Sequence, residues 1–178
     1  MLKVYITDLA AYNNGYLLGK WITLPLDKEN LEQEINEVLQ LGSNTIGEET
    51  EEWFITDYEW ENGISLKEVS EYEDIYALNE QLLLIQDVSE DILKAMSFLL
   101  SEGITSTINE ANEKAVDVTI YTNQTMEDIA ATLIEELYDL DSLPPMIANH
   151  IDYEGIARDL KIEGGYTVVD GHIYEYRG

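Results

Sequence analysis

Along the first sixty residues, apolar positions alternate with polar ones, switch to a three-to-four spacing, and then alternate again. Residues 2–7 (Leu-Lys-Val-Tyr-Ile-Thr) read as a strand, Asn13-Asn14-Gly15 as a turn, and 16–24 as a second strand. Pro25 and Asp27 then open a helix in which Leu31, Ile35, Val38 and Leu39 recur at i, i+4, i+7 and i+8. Leu41-Gly42 reads as its end. A third strand over 52–58 completes a small ββαβ unit, assigned to residues 1–63.

From 64 to 103 the pattern turns wholly helical. Ser65 with Glu68 reads as a capping box, and a helical stretch follows from about Asp74 to Gln86. Ser89 caps a helix carrying Ile92, Leu93, Met96, Leu99 and Leu100, and Gly103 ends it. The remaining unit, 104–178, holds a strand at 116–121 and an amphipathic helix opened by Thr125 with Asp128. That helix bears Ile129, Leu133, Ile134 and Leu137, and Pro144-Pro145 are read as its stop. Short helical turns come next, then a hairpin of 166–169 and 172–176 across Asp170-Gly171. The expected fold is α+β, a chain of three small units with no internal repeat.

Composition changes this picture in one respect. Of 178 residues 45% are hydrophobic, and the 12 tyrosines and 3 tryptophans far exceed what an acidic disordered tail carries, so the chain should fold. Yet 37 acids oppose 9 lysines and arginines, for a formal net charge of −28. Solubility needs a net charge of only about 2 to 8 in magnitude, and self-repulsion on this scale destabilises a compact state. The excess is uneven: residues 48–141 hold 25 acids and 3 bases, whereas residues 142–178 hold 6 acids and 3 bases. Direct nucleic-acid binding needs Lys and Arg against phosphates, so the expected partner is a strongly basic protein.

Catalysis finds no support in the motifs. Cysteine is absent, which removes thiol nucleophiles and zinc-thiolate sites. His150 and His172 stand 22 residues apart in no metal-ligand spacing, no G-x-S-x-G elbow occurs, and no glycines form a phosphate loop. The acid clusters at 48–52 and 139–141 lack the alternating ligands and central glycine of a calcium loop. The expectation is a non-enzyme with no cofactor or metal. The N-terminal residues show no secretory pattern, and no run approaches the roughly 20 apolar residues of a membrane span. A cytoplasmic protein with no membrane partner is expected.

The acids instead suggest a surface. Helical residues three and four apart are neighbours, and Glu68, Glu71 and Asp74 follow that spacing, as do Asp87, Glu90 and Asp91. Glu127, Asp128, Glu135, Glu136 and Asp139 fall opposite the apolar stripe of the helix read over 126–140. Together with Glu59, Glu61, Glu80 and Asp141 they form the candidate partner-binding surface. Solvated faces ordinarily mix both signs, and 25 against 3 is not mixed. Duplex DNA carries one negative charge per ~1.7 Å of axis, so a file of helical carboxylates can imitate a phosphate backbone.

Three stretches carry a resemblance to a known family: VYITDLAAYNNGYLLGKWITLPLD, EEWFITDYE, and DIAATLIEELYDLDSLPPMIANHIDYEGIARDLKIEGGYTVVDGHIYEY. The chain resembles the ArdA antirestriction proteins of conjugative plasmids and transposons over nearly its whole length, most specifically in DYEGIARDL at 152–160. The resemblance implies an elongated, three-part α+β protein that dimerises through its C-terminal part. It further implies a DNA mimic that occupies the DNA groove of type I restriction–modification enzymes in a bacterial host and blocks restriction, often with modification. The acidic helix 127–141 falls at the family's antirestriction motif. Self-association is expected in the weakly charged segment after Asp141, with Met146, Ile147 and Ile151 as contact candidates, core positions being the equal alternative for these three. The alternative is an acidic inhibitor of another DNA-binding protein, such as a nucleoid protein or a nuclease.

Overall fold

Strand β1 (Leu2–Asp8), helix α1 (Leu9–Asn13), strand β2 (Gly19–Leu24), helix α2 (Lys28–Ile46) and strand β3 (Trp53–Trp60) open the chain in a computed structural model that describes residues 1–163 and 165–178. β1 lies between β2 and β3 and pairs antiparallel with both. The alternation places Leu2, Val4 and Ile6 on one face, where they are buried with Leu31, Ile35 and Val38 of α2. The opposite face of the sheet carries Lys3, Tyr5 and Thr7.

α2 does not stop at Gly42. Its first turn is capped by Asp27, which accepts from Asn30 N at 3.0 Å, and it runs on to a left-handed Gly47 at φ 76° whose N–H reaches Ser43 O. Gly42 is there for a tertiary reason. A Cβ on it would land on the Asp8 carboxylate, which is fully buried and caps α1 by accepting from Ala11 N at 2.7 Å. A helix-interior glycine normally costs about 1 kcal/mol against alanine, and here it makes room for a buried acid.

Residues 64–74 form no helix, so the capping box read at Ser65 and Glu68 is wrong. Leu66 and Val69 are buried, Ile55 N donates to Glu71 O at 2.8 Å, and the Trp60 indole donates to Lys67 O at 2.9 Å. Burial of two apolar residues beside β3 outweighs a weak local capping preference. The expected helices then appear: α3 (Ile75–Leu84), capped by Asp74, and α4 (Glu90–Ser101), capped by Ser89. A short helix the sequence did not announce, α5 (Ile108–Lys114), follows under a Thr107 cap.

The C-terminal part contains strand β4 (Val118–Tyr121), helices α6 (Met126–Leu137), α7 (Pro145–Ala148) and α8 (Tyr153–Glu163), and strands β5 (Tyr166–Val169) and β6 (His172–Tyr176). The three strands form a second antiparallel sheet in the order β4-β6-β5. Asp170 and Gly171 both adopt positive φ, 48° and 80°, as a two-residue hairpin turn requires. α6 opens with the predicted reciprocal cap of Thr125 and Asp128 but ends at Leu137, well before Pro144. α8 is a full helix where only short turns were expected. Eight helices among the described residues and two three-stranded sheets make the fold α+β.

One buried cluster runs from Leu2 to Tyr174. Asn79, almost wholly buried, ties α3 to the N-terminal sheet by accepting from Leu26 N at 2.8 Å and donating to Leu26 O at 2.7 Å. At the other end, the Phe98 ring of α4 stacks on Tyr174 of β6 at 4.6 Å. α6 packs against α8, but of its apolar stripe only Ile129 is buried; Leu133 and Ile134 are half-buried and Leu137 is 64% exposed.

Replacing Gly42 by alanine should lower stability by about 1 to 3 kcal/mol, the usual range for overpacking, despite the better helix propensity. Asp8 is short, buried and pinned as a cap, so it has nowhere to move. Chemical denaturation of the variant checks this, and a midpoint at or above that of the parent would contradict it.

Candidate acidic interface

Every base in the acidic stretch is already engaged. Lys67 Nζ lies 2.6 Å from Glu73, Lys94 Nζ 2.7 Å from Glu90, and Lys114 Nζ 3.2 Å from Glu110. Glu61 meets Lys3 at 3.6 Å and the N-terminal ammonium at 3.8 Å. Among the described residues, no other acid between 48 and 141 has a cation within ion-pair distance, and every one of those others is exposed. The surface therefore presents carboxylates whose charge no side chain of the described residues neutralises.

The paired acids are held in the charged form. Burial pushes the Glu73 carboxyl up, but hydrogen bonding and charge from Lys67 bring it below the ordinary glutamate value. Lys94 lowers Glu90 in the same way, and Glu90 raises Lys94 in return. Glu110 is lowered first by the Ser106 N–H and then by Lys114. Asp128 is lowered by the backbone N–H and hydroxyl of Thr125, at 2.7 and 2.8 Å.

The candidate residues occupy several kinds of position. Glu59 projects from β3, and Glu80 from α3. Glu90 and Asp91 sit in the first turn of α4, and Glu127 and Asp128 in the first turn of α6, where a helix favours negative charge. Glu135 and Glu136 are exposed near the end of α6. Other placements differ from the expectation. Glu68 and Glu71 lie in the non-helical segment and Asp74 is a cap, so these three form no helical file. Asp87 lies in the turn before α4, and Asp139 and Asp141 lie beyond the end of α6. The acids are therefore scattered over loops, caps and helix turns, not ranked along three helix faces.

Exposed acids missing from the candidate set include Glu48, Glu49, Glu51 and Glu52 before β3, Asp57 on β3, and Glu102 after α4. Helical spacing could not find them; the imbalance of 25 acids to 3 bases does. Met146 and Ile147 on α7 are 79% and 54% exposed, so they are not core residues of this chain, and Ile151 is half-buried.

Among the described residues no group of three or more His, Asp or Glu side chains is placed to hold a metal ion, and no helix is long and apolar enough to cross a membrane. The buried acids lie outside the acidic stretch and serve the fold. Glu175 accepts from Tyr121 at 2.8 Å and from Arg177 at 2.8 and 2.9 Å, while burial and that same bond push the Tyr121 phenol up to about 12.

A family model described as antirestriction protein (ArdA) matches residues 4–175. No curated protein matches the chain. With all but a few terminal residues matched, the chain belongs to the ArdA family of antirestriction proteins.

Proposed function

We propose that this ArdA-family chain acts as a DNA mimic that fills the basic DNA-binding groove of a type I restriction–modification enzyme and blocks restriction, together with modification. One observation carries the reading: among the described residues, all the acids between 48 and 141 except Glu61, Glu73, Glu90 and Glu110 are exposed with no cation within ion-pair distance. A surface of unneutralised, fixed negative charge competes for the groove that otherwise takes phosphates, and long-range attraction speeds the encounter. The partner supplies the missing cations, and the counterions displaced from both surfaces favour the complex.

Self-association completes the proposal. An enzyme groove engages DNA on both sides of its target, and a two-fold pair of chains doubles the length of acidic surface. Residues 142–178, with 6 acids and 3 bases, are far less acidic than residues 48–141, so two such chains repel less there. Exposed Met146, Ile147 and Leu137 in this region and at the end of α6 offer apolar area that the single chain leaves uncovered.

Affinity for the purified enzyme should fall by on the order of tenfold or more between about 50 and 200 mM salt, as charge contacts are screened and counterion release is weakened. A flat binding constant across that range would count against mimicry. Single changes such as Glu135→Gln or Asp139→Asn should leave phage restriction inhibited nearly as in the parent, whereas neutralising most acids between 48 and 141 should abolish inhibition. Plating efficiency on restricting hosts reads both, and loss of all activity from one carboxylate would point to a specific site instead. Finally, light scattering should give a dimer that Met146→Glu converts toward monomer with the fold kept, since Met146 is exposed in the single chain. A micromolar monomer with full inhibitory activity would overturn the dimer.

A further inference from the structure

The open face of the N-terminal sheet does not look like the rest of the acidic surface. Across its three strands Trp21, Tyr5 and Asp57 stand opposite one another in register, β2 to β1 to β3. The Tyr5 and Trp21 rings meet edge to face at 5.4 Å. Gly19 is part of this arrangement, because a Cβ there would strike both the Tyr5 ring and the Ile6 carbonyl. Beside the row, Tyr12 meets Phe54 edge to face at 5.2 Å. Tyr5, Tyr12, Trp21, Phe54, Asp57 and Glu71 line an open groove of about 980 Å³ of empty space, counting the solvent at its mouth.

Exposed aromatics at this density have a cost in water, and Trp21 is left 45% exposed. The groove holds two carboxylates and no cation. Among the described residues the Glu71 side chain has no hydrogen-bond partner, and the Asp57 carboxylate accepts only from the N–H of Tyr58 at 2.8 Å. The two lysines on β1 and β2 are spoken for: Lys3, on the same face, pairs with Glu61, and Lys20, on the helix face, pairs with Glu34 and Glu37.

We propose that this groove seats an arginine side chain of the basic partner protein, its guanidinium over the Tyr5–Trp21 aromatic pair and its charge met by Asp57 and Glu71. A planar cation stacks on aromatic faces and forms paired hydrogen bonds to carboxylates, and arginine does both better than lysine. A nucleic acid base would also stack here, but its phosphates would meet Asp57 and Glu71 and an overall charge of −28. The proposal deepens the antirestriction reading, since it names how one cation of that partner is held by something more selective than a diffuse field.

The test begins with the isolated chain, isotopically labelled and titrated with acetyl-arginine-amide, with acetyl-citrulline-amide as the neutral isostere. The Trp21 indole signal should shift and saturate with arginine and stay put with citrulline. Trp21→Val, or Asp57→Asn combined with Glu71→Gln, should weaken arginine binding by about fivefold or more, the scale of one cation–π or ion-pair contact. Shifts spread evenly over α3, α4 and α6, or variants that bind arginine as the parent does, would overturn the groove. So would a Trp21→Val chain that loses a dimer the parent forms, because the occupant is then a second copy. The same variants are assayed for inhibition of restriction, which should weaken by a similar factor; inhibition equal to the parent would also overturn the proposal. A parent chain that seats arginine yet protects no phage would sink the antirestriction reading and leave the cation seat standing. One that protects phage while Trp21 ignores arginine would do the reverse.

Discussion

Like-charge repulsion at short range is the constraint to which the rest of this molecule answers. Two carboxylates about 6 Å apart at the surface oppose each other by roughly 0.7 kcal/mol in water, and less in salt. Each such pair is tolerable, but a stretch with 25 acids and 3 bases contains many of them. Many of the acids are also not free to drift apart, because β3, α3, α4 and α5 share one buried cluster from Leu2 to Tyr174, to which α6 adds no residue. The apolar core supplies the stabilisation, and the surface holds charge at fixed positions against its own repulsion.

The fold limits this cost by using acids where backbone donors welcome them. Asp8, Asp27, Asp74 and Asp128 all accept from N–H groups at helix starts, and Glu90, Asp91 and Glu127 occupy first turns. Such positions stabilise a carboxylate without neutralising it, so the field outside the molecule survives. The three lysines of the acidic stretch are spent on their immediate neighbours at 2.6 to 3.2 Å, which holds local structure and leaves the remaining acids unopposed.

Two parts of the surface depart from this pattern by carrying exposed apolar or aromatic side chains. One is the aromatic row across the open face of the first sheet, and the other is the uncovered area around Leu137, Met146 and Ile147. Diffuse charge brings a basic partner close but selects weakly, whereas packing against a fixed apolar or aromatic shape selects more strongly. In the proposed complex, the division between a broad acidic field and small apolar patches is a division between attraction and discrimination.

What the sequence determined by itself was local in origin. Caps at Asp27, Ser89 and Thr125, the Asp170-Gly171 hairpin and the alternating strand at the N-terminus all rest on interactions within a few residues, and all are found in the structure. The charge imbalance was equally plain, because counting needs no coordinates. α1 and α5, of 5 and 7 residues, are too short to show a period and went unread. Tertiary structure alone decided where local signals lost. Gly42 looked like a helix end but is an opening for Asp8, 34 positions earlier in the chain, and Ser65 with Glu68 looked like a helix start but lies where Leu66 and Val69 must be buried beside β3. The same holds for the surface. Spacing placed the acids on helix faces, while packing put several of them in loops and caps, because what fixes a carboxylate in space is the element its neighbours bury and not its distance along the chain.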